Sequence, residues 1–513
     1  MISAPASRQT TTFCITVLAV TSVLATMSHD PVLLLAGGSV VALAVVLLWR
    51  AGEAPVLLMA AGCQLSQVIV LPLHAALMGG QLHDVAFEFG NLTLGTWFAL
   101  AAMLSLVAGM WIGQLGVRRT ASAMELEAAV WSPRAAFVFC LATLLLSALF
   151  VALGDLYDGL RQPFLAAARI KWAGVFVLTY VCTTRRRGFV YVLLVAFFEL
   201  VRGSLGYFAD FKEIFIVLLV GTLAASSKLN RRMVLSGALL AGFALTLGAF
   251  WSAIKTDYRT FLSLGSLQQQ TILVPIPDRL GYLMDRAAAV DGEMMRYGFD
   301  TMARRWGYVG LLAATMRNVP AQVPFENGAL VGATIMHVLQ PRLLFPEKPP
   351  LRSDTEITVL YSGINLDAGG NATDTSISLG YVAELYVDFG FVGTLAAIFI
   401  LGFLSGRVVK YLIASTALPA IVSSGLAVVL MMSVMSFEQG LLKVVGSAVT
   451  TFVAILALRI SLLPYLLSKW GPTAAATVGG ELPHGGGRMA AEGRDLGSHL
   501  RGVQAVGRDG NNL

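Results

Sequence analysis

"AAFVFCLATLLLSALFVALG", residues 135–154, runs for 20 positions without a charged side chain. At a rise of about 1.5 Å per residue it builds a helix about 30 Å long, the depth of a bilayer's hydrocarbon core. Apolar windows of this kind recur near 12–27, 31–49, 55–79, 94–116, 164–182, 188–208, 212–227, 233–254, 386–406, 418–436 and 441–464. The pattern predicts an all-α, polytopic integral membrane protein with about twelve transmembrane helices, the first and eighth marginally short for a span. Composition agrees. Of 513 residues, 56% are hydrophobic and 13% charged, against roughly 25% charged in soluble domains, and mean hydropathy is +0.74.

The net charge of +6 reads as an orientation signal rather than a nucleic-acid footprint, because most cations sit at the ends of apolar windows. Arg50, then Arg118, Arg119 and Arg134, then Arg185, Arg186 and Arg187, then Lys228, Arg231 and Arg232, then Arg407 and Lys410 fall on alternate loops. Those loops are predicted cytoplasmic, with both termini. Opposite loops such as "MSHD" (27–30) and "GQLHDVAFEFGNLT" (80–93) hold no Lys or Arg. Arg8 before a short apolar core also fits a cleaved signal peptide over residues 1–27, which leaves the remaining topology unchanged. Cys14, Cys63, Cys140 and Cys182 lie in apolar runs without CxxC spacing, so neither a disulfide nor a metal or other cofactor site is indicated.

One connection, about 255–385, is far longer than the usual 4–6 or so residues. It divides the chain into an N-terminal bundle (1–254, about nine helices), a large outer loop (255–385), C-terminal helices (386–464, about three) and a Gly-rich cytoplasmic tail (465–513) expected to be disordered. Within the loop, "RAAAVDGEMMRYGFDTMARRWGYVGLLAATMRNV" (286–319) has helical periodicity, with Arg304, Arg305 and Arg317 at its rim. Prolines 320, 324, 341, 346, 349 and 350 predict a fixed, largely extended path for the next part of the loop. "PRLLFPEKPP" (341–350) then becomes a stiff strap carrying Arg342, Glu347 and Lys348.

Ionisable residues within membrane helices are functional candidates by default. The topology puts Arg169 and Lys171, Glu199 and Arg202, Lys212 and Glu213, and Glu438 and Lys443 toward the outer side, where cations oppose the positive-inside bias. Glu199 and Arg202, at i and i+3, equally fit a pair that neutralises itself and joins helices. Lys255 and Arg259 leave the ninth helix on the same side, and Arg342, Lys348 and Arg352 come later in the loop. Arginine forks and lysine point charges at this depth suit an anionic headgroup on a lipid; a solvated charged loop is the plainer alternative.

The stretch "VPFENGALVGATIMHVLQPRLLFPEKPP" (323–350), followed by "GYVAELYVDFGFVGTLAAIFILGFLSGR" (380–407), resembles the bacterial oligosaccharide repeat-unit polymerases, the Wzy-type or O-antigen polymerase-like family. Its P-R-x-x-[FW]-P-x-K-P and [GA]-E-x-Y-x-[ND]-F-G elements are matched, and "IKTDYR" (254–259) is similar to its K-x-x-Y-R stretch. The detailed match covers about the central third of the chain. It implies a multi-pass glycosyltransferase of the bacterial inner membrane that joins undecaprenyl-diphosphate-linked oligosaccharides at the periplasmic face, with a chain-length regulator and export machinery as further partners.

In that reaction an acceptor hydroxyl attacks an anomeric carbon and a prenyl diphosphate departs, its charge stabilised by fixed cations. The candidates are Lys255, Arg259, Arg342, Lys348, Arg169 and Arg202, with Arg342 also in the catalytic set. Glu384 is the candidate carboxylate for the acceptor hydroxyl, with Asp388 one turn on along the same helical face; acids at a helix start also simply complement its dipole. A ligase that moves finished glycan to another acceptor would use His337 as base, although "TIMHVLQ" (334–340) also suits a structural histidine. A transporter or flippase of lipid-linked sugars is the alternative from another class, and the internal repeats expected of it are not found in the sequence.

Overall fold

The computed structural model describes residues 8–85, 90–116, 120–207, 211–226, 231–265, 272–341, 344–345, 347–348, 351–364, 377–415 and 417–471. Among them every regular element is helical. The chain opens with α1 (Arg8–Ala25), α2 (Pro31–Leu48), α3 (Val56–Met78), α4 (Leu92–Gly113), the short α5 (Ala121–Val130) and α6 (Pro133–Leu156). Next come α7 (Arg161–Ala168), α8 (Ile170–Arg185), α9 (Phe189–Ser204), α10 (Lys212–Ala224) and α11 (Arg231–Leu262). The long connection holds α12 (Ile276–Ala288), α13 (Gly292–Trp306), α14 (Gly310–Asn318), α15 (Ala329–Leu339) and α16 (Asp354–Ser362). The chain then closes with α17 (Tyr381–Ala414), α18 (Ala420–Met431), α19 (Leu441–Ile460) and α20 (Leu462–Trp470).

Eight of these stretches are long and apolar enough to cross a membrane: α2, α3, α4, α6, α7 with α8, Gly237–Leu262 of α11, α17 and α19. The protein is a multi-pass membrane protein. The other four apolar windows are also helical, as α1, α9, α10 and α18, but short; α10 has 13 residues and α18 has 12. Two boundaries shift against the sequence reading. Helix α11 continues to Leu262, so Lys255 and Arg259 occupy its last turns, and α17 begins at Tyr381. The stretch after Pro320 is not extended throughout, since α15 fills the interval between Pro324 and Pro341. Proline removes donors only at its own positions and restrains the residue before it, which leaves the proline-free residues 325–340 able to wind.

The main core runs through α2, α3, α4, α6, α8, α10, α17, α18 and α19, and a smaller cluster of Trp251, Tyr258, Leu262 and Val274 fixes the end of α11. Lipid gives helices no hydrophobic reason to associate, so close backbone approach must supply the contact. Between α4 and α17 it does. Gly109 and Gly113 on one helix face Gly402 and Gly406 on the other, and a Cβ on Gly109 or Gly402 would collide with the Phe399 or Leu106 carbonyl oxygen. Helix α17 itself bends at Gly390, whose φ of 63° and ψ of −161° lie outside helical space and are open to glycine almost alone.

Candidate functional site

Between α18 and α19 the chain leaves helical geometry after a single 3-10 turn, Met432–Val434, and resumes at Leu441. Non-helical backbone at membrane depth survives only where protein satisfies its polar groups. Two glutamines of α3, one turn apart, do this. Gln64 Nε2 donates to the Val434 carbonyl at 2.6 Å, and Gln67 Oε1 accepts from the Phe437 N–H at 2.6 Å. The Tyr381 hydroxyl donates to Gln64 Oε1 at 2.7 Å, and the Tyr381 N–H donates to the Gln439 carbonyl at 2.7 Å. Neither glutamine stands out in the sequence reading. Their only signal there is a polar i, i+3 pair inside "AAGCQLSQVIVLP" (60–72).

The segment "AELYVDFG" (383–390) is a junction in which each polar side chain has a partner. Glu384, 6% exposed, accepts from the Leu441 N–H at 2.9 Å and so caps α19 from another helix. Asp388, 1% exposed, accepts from the Leu330 and Val331 N–H groups at 3.1 and 2.7 Å and caps α15. The Tyr386 hydroxyl donates to the Val319 carbonyl. Glu127 of α5 does the same for α18, accepting from Ala420 and Ile421 at 2.7 and 2.9 Å. A carboxylate at a helix N-terminus satisfies orphan amides and meets the positive end of the dipole. The dipole reading of Glu384 thus applies to α19, across the junction.

At its other end α15 is closed by Lys348, whose Nζ donates to the His337 and Gln340 carbonyls at 3.0 and 2.7 Å. His337 stands in the last turn of that helix. Arg342 lies outside the described residues. Arg202 and Lys171 converge on Glu199 Oε2, at 2.9 and 2.6 Å, with Glu199 3% exposed. The i, i+3 pair anticipated from the sequence is therefore a triad with one excess positive charge, and it ties α8 to α9.

Arg169 sits where α7 passes into α8, half-buried, and donates to Ser433 Oγ at 2.8 Å and to Ser447 Oγ at 3.5 Å. No carboxylate pairs with it among the described residues. A second group includes Glu438 of the α18–α19 connection. Half-buried Lys255 lies within electrostatic reach of Arg305, Arg259 and Lys212, with Glu438 as an opposing charge. Arg259 rests on the Tyr207 ring at 4.7 Å, and Lys212 faces the Trp306 ring at 5.7 Å. Among the described residues Lys255, Lys212 and Arg305 form no ion pair.

Glu438 differs from the capping acids. It is half-buried, accepts from Ser436 Oγ at a long 3.4 Å, and lies within electrostatic reach of Lys255 and Tyr308. The sequence places it among the outer-side ionisable residues without singling it out for a role. The structure thus brings Lys255 and Arg259 together as expected and adds Lys212, Arg305 and Glu438. It sets Lys348, Glu384, Asp388 and Arg202 into structural contacts of their own. The four cysteines are free thiols, and among the described residues no three His, Cys, Asp or Glu side chains cluster. Comparison with protein families, curated proteins and solved structures finds no match to the chain.

Proposed function

We propose that this chain is a glycosyltransferase of the bacterial inner membrane that joins oligosaccharide repeat units carried on undecaprenyl diphosphate. In this reading α1, α9, α10 and α18 complete about twelve spans, and the connection bearing α12–α16 is periplasmic. The observation that supports it is the group Lys212, Lys255 and Arg305, none of them ion-paired among the described residues, with Lys255 in electrostatic reach of the other two, of Arg259 and of Glu438 in the α18–α19 connection. Like charges held close are unfavourable unless an anion completes the set. A lipid diphosphate at the membrane boundary supplies that charge, and Arg169 bonds to Ser433 where α18 gives way to the same break.

The chemistry rests on charge. The acceptor hydroxyl oxygen bonds to the anomeric carbon of the donor glycan, the bond from that carbon to the diphosphate oxygen breaks, and the diphosphate leaves with the electron pair. Lys255, Arg259 and Arg305 stabilise that developing charge, an effect whose removal costs roughly 100- to 1,000-fold per group. Glu438, rather than Glu384, takes the hydroxyl proton, because Glu384 and Asp388 already accept from helix amides and hold the frame.

Purified full-length protein tests this with undecaprenyl diphosphate as binding probe and lipid-linked repeats as substrate. Lys255→Gln with Arg305→Gln should weaken probe binding at least tenfold and abolish the product ladder. Glu438→Gln should keep binding and lower turnover by about 100-fold. Unchanged binding in the double variant overturns the site, and a normal ladder from Glu438→Gln removes that residue from the reaction.

A further inference from the structure

At the opposite end of α17 and α19 from Glu384 lies a groove of about 520 Å³, lined by Arg407, Lys410, Tyr411, Ser415 and Arg459. It contains three cations and no acid. None of the three forms an ion pair among the described residues. Lys410 Nζ donates to the Leu115 carbonyl at 2.8 Å, beyond the end of α4. Arg407 lies over the Phe403 ring at 5.1 Å and Arg459 over the Tyr411 ring at 5.8 Å. A guanidinium held by a ring makes no hydrogen bond there and keeps N–H donors for an acceptor. No protein acceptor takes either fork among the described residues.

Cations at the C-terminal ends of helices answer the dipole and the inside-positive bias, but neither effect requires that they converge on one groove. The approach to the groove narrows the choice of ligand. Ile400, Leu404, Arg407 and Tyr411 fall on one stripe of α17 by helical spacing, and the first two are 55% and 51% exposed. On α19, Val449 and Val453, one turn apart, are likewise exposed apolar side chains. A ligand that enters along these stripes and ends among Arg407, Lys410 and Arg459 has acyl chains and an anionic head. We propose that this groove seats the phosphate of an anionic phospholipid, with its chains along the lipid-facing stripes of α17 and α19.

Full-length protein, delipidated in neutral detergent and exposed to mixed vesicles of phosphatidylglycerol and phosphatidylcholine, is read by native mass spectrometry. Retention of phosphatidylglycerol at least tenfold over phosphatidylcholine is expected. Arg407→Gln with Arg459→Gln should erase that preference. Ala414→Glu, which adds an acid to the lining while leaving all three cations, should do the same, so the inference survives a folding failure of the double variant. Equal retention of the two lipids by the wild type, or an undiminished preference in a folded variant, overturns the assignment. Millimolar inorganic phosphate should leave the lipid bound; full displacement would reassign the groove to a soluble anion and overturn the lipid.

Discussion

The α4–α17 crossing and the α18–α19 break solve the same problem, holding helices together in lipid, by opposite means. The crossing is made almost wholly of missing atoms. Gly109, Gly113, Gly402 and Gly406 let two backbones touch, and dispersion across that contact joins the helices. The break is made of added polar atoms, with Gln64, Gln67, Tyr381 and Glu384 each taking a backbone group that a continuous helix would have satisfied itself. A close-packed crossing has one arrangement and leaves no room for a ligand. A polar break leaves a stretch of non-helical chain between α18 and α19, and Glu438 on it lies within electrostatic reach of Lys255. Under the proposed function, rigidity and chemistry fall to different helix contacts within one bundle.

The sharpest way to break the contrast is to fill the crossing. Gly402→Leu drives a side chain into the Leu106 carbonyl region of α4 and should cost about 3 kcal/mol, at the upper end of overpacking. Loss of monodisperse protein, or a large fall in Tm in detergent, is the expected result; a stable variant would show that the two helices can separate without consequence. The break should respond more mildly and more specifically. Gln67→Leu preserves bulk but leaves the Phe437 N–H buried without an acceptor, a cost of about 1–3 kcal/mol. Because that amide immediately precedes Glu438, turnover should fall by more than the loss of folded protein accounts for. A fall in Tm with normal turnover per folded molecule would separate the break from the chemistry.

The crossing and the break were not equally legible in the sequence. Apolar windows and loop charges are written residue by residue, so the helical regions were readable, and the structure places a helix in each predicted window. The number of complete spans was less so, because α10 and α18 run for only 13 and 12 residues inside longer apolar windows, and the end of α18 at Met431 is met by partners on α3 that are distant in sequence. The same holds for the site. "AELYVDFG" (383–390) announces two acids on one helical face, but only tertiary geometry shows that Glu384 reaches α19 and Asp388 reaches α15. Glu438 was legible as an ionisable residue beside an apolar window, but not its proximity to Lys255, which is more than 130 positions away. Gly109 and Gly402 were visible as small-xxx-small pairs and unread, because each pair needs the other to be interpreted.

The mildest expected effect concerns how the outer helices hold the break in place. Helix α3, which carries both glutamines, also carries His74, bonded through Nε2 to Asp300 Oδ1 of α13 at 2.9 Å, while Arg304 Nε donates to Asp300 Oδ2 at 2.8 Å. Partial burial pushes the Asp300 carboxyl upward, but the hydrogen bonds and charges of Arg304 and His74 outweigh it and hold the group below the usual carboxylate range. A depressed carboxylate stabilises the fold in full above its unfolded pKa of about 3.9, and loses that contribution as pH falls through the lower folded value. Partly exposed pairs of this kind are worth about 1 kcal/mol or less. The wild type should therefore lose slightly more Tm than Asp300→Asn between pH 5 and pH 3, and the two should run parallel above about pH 5 with the wild type higher. Subtracting the two curves removes the other carboxylates that titrate in the same range. If the difference is flat with pH, α13 is docked by Trp306, whose Nε1 donates to Ser66 Oγ at 2.9 Å, and by apolar contact, and the polar tie between the outer helices and the break carries no measurable weight.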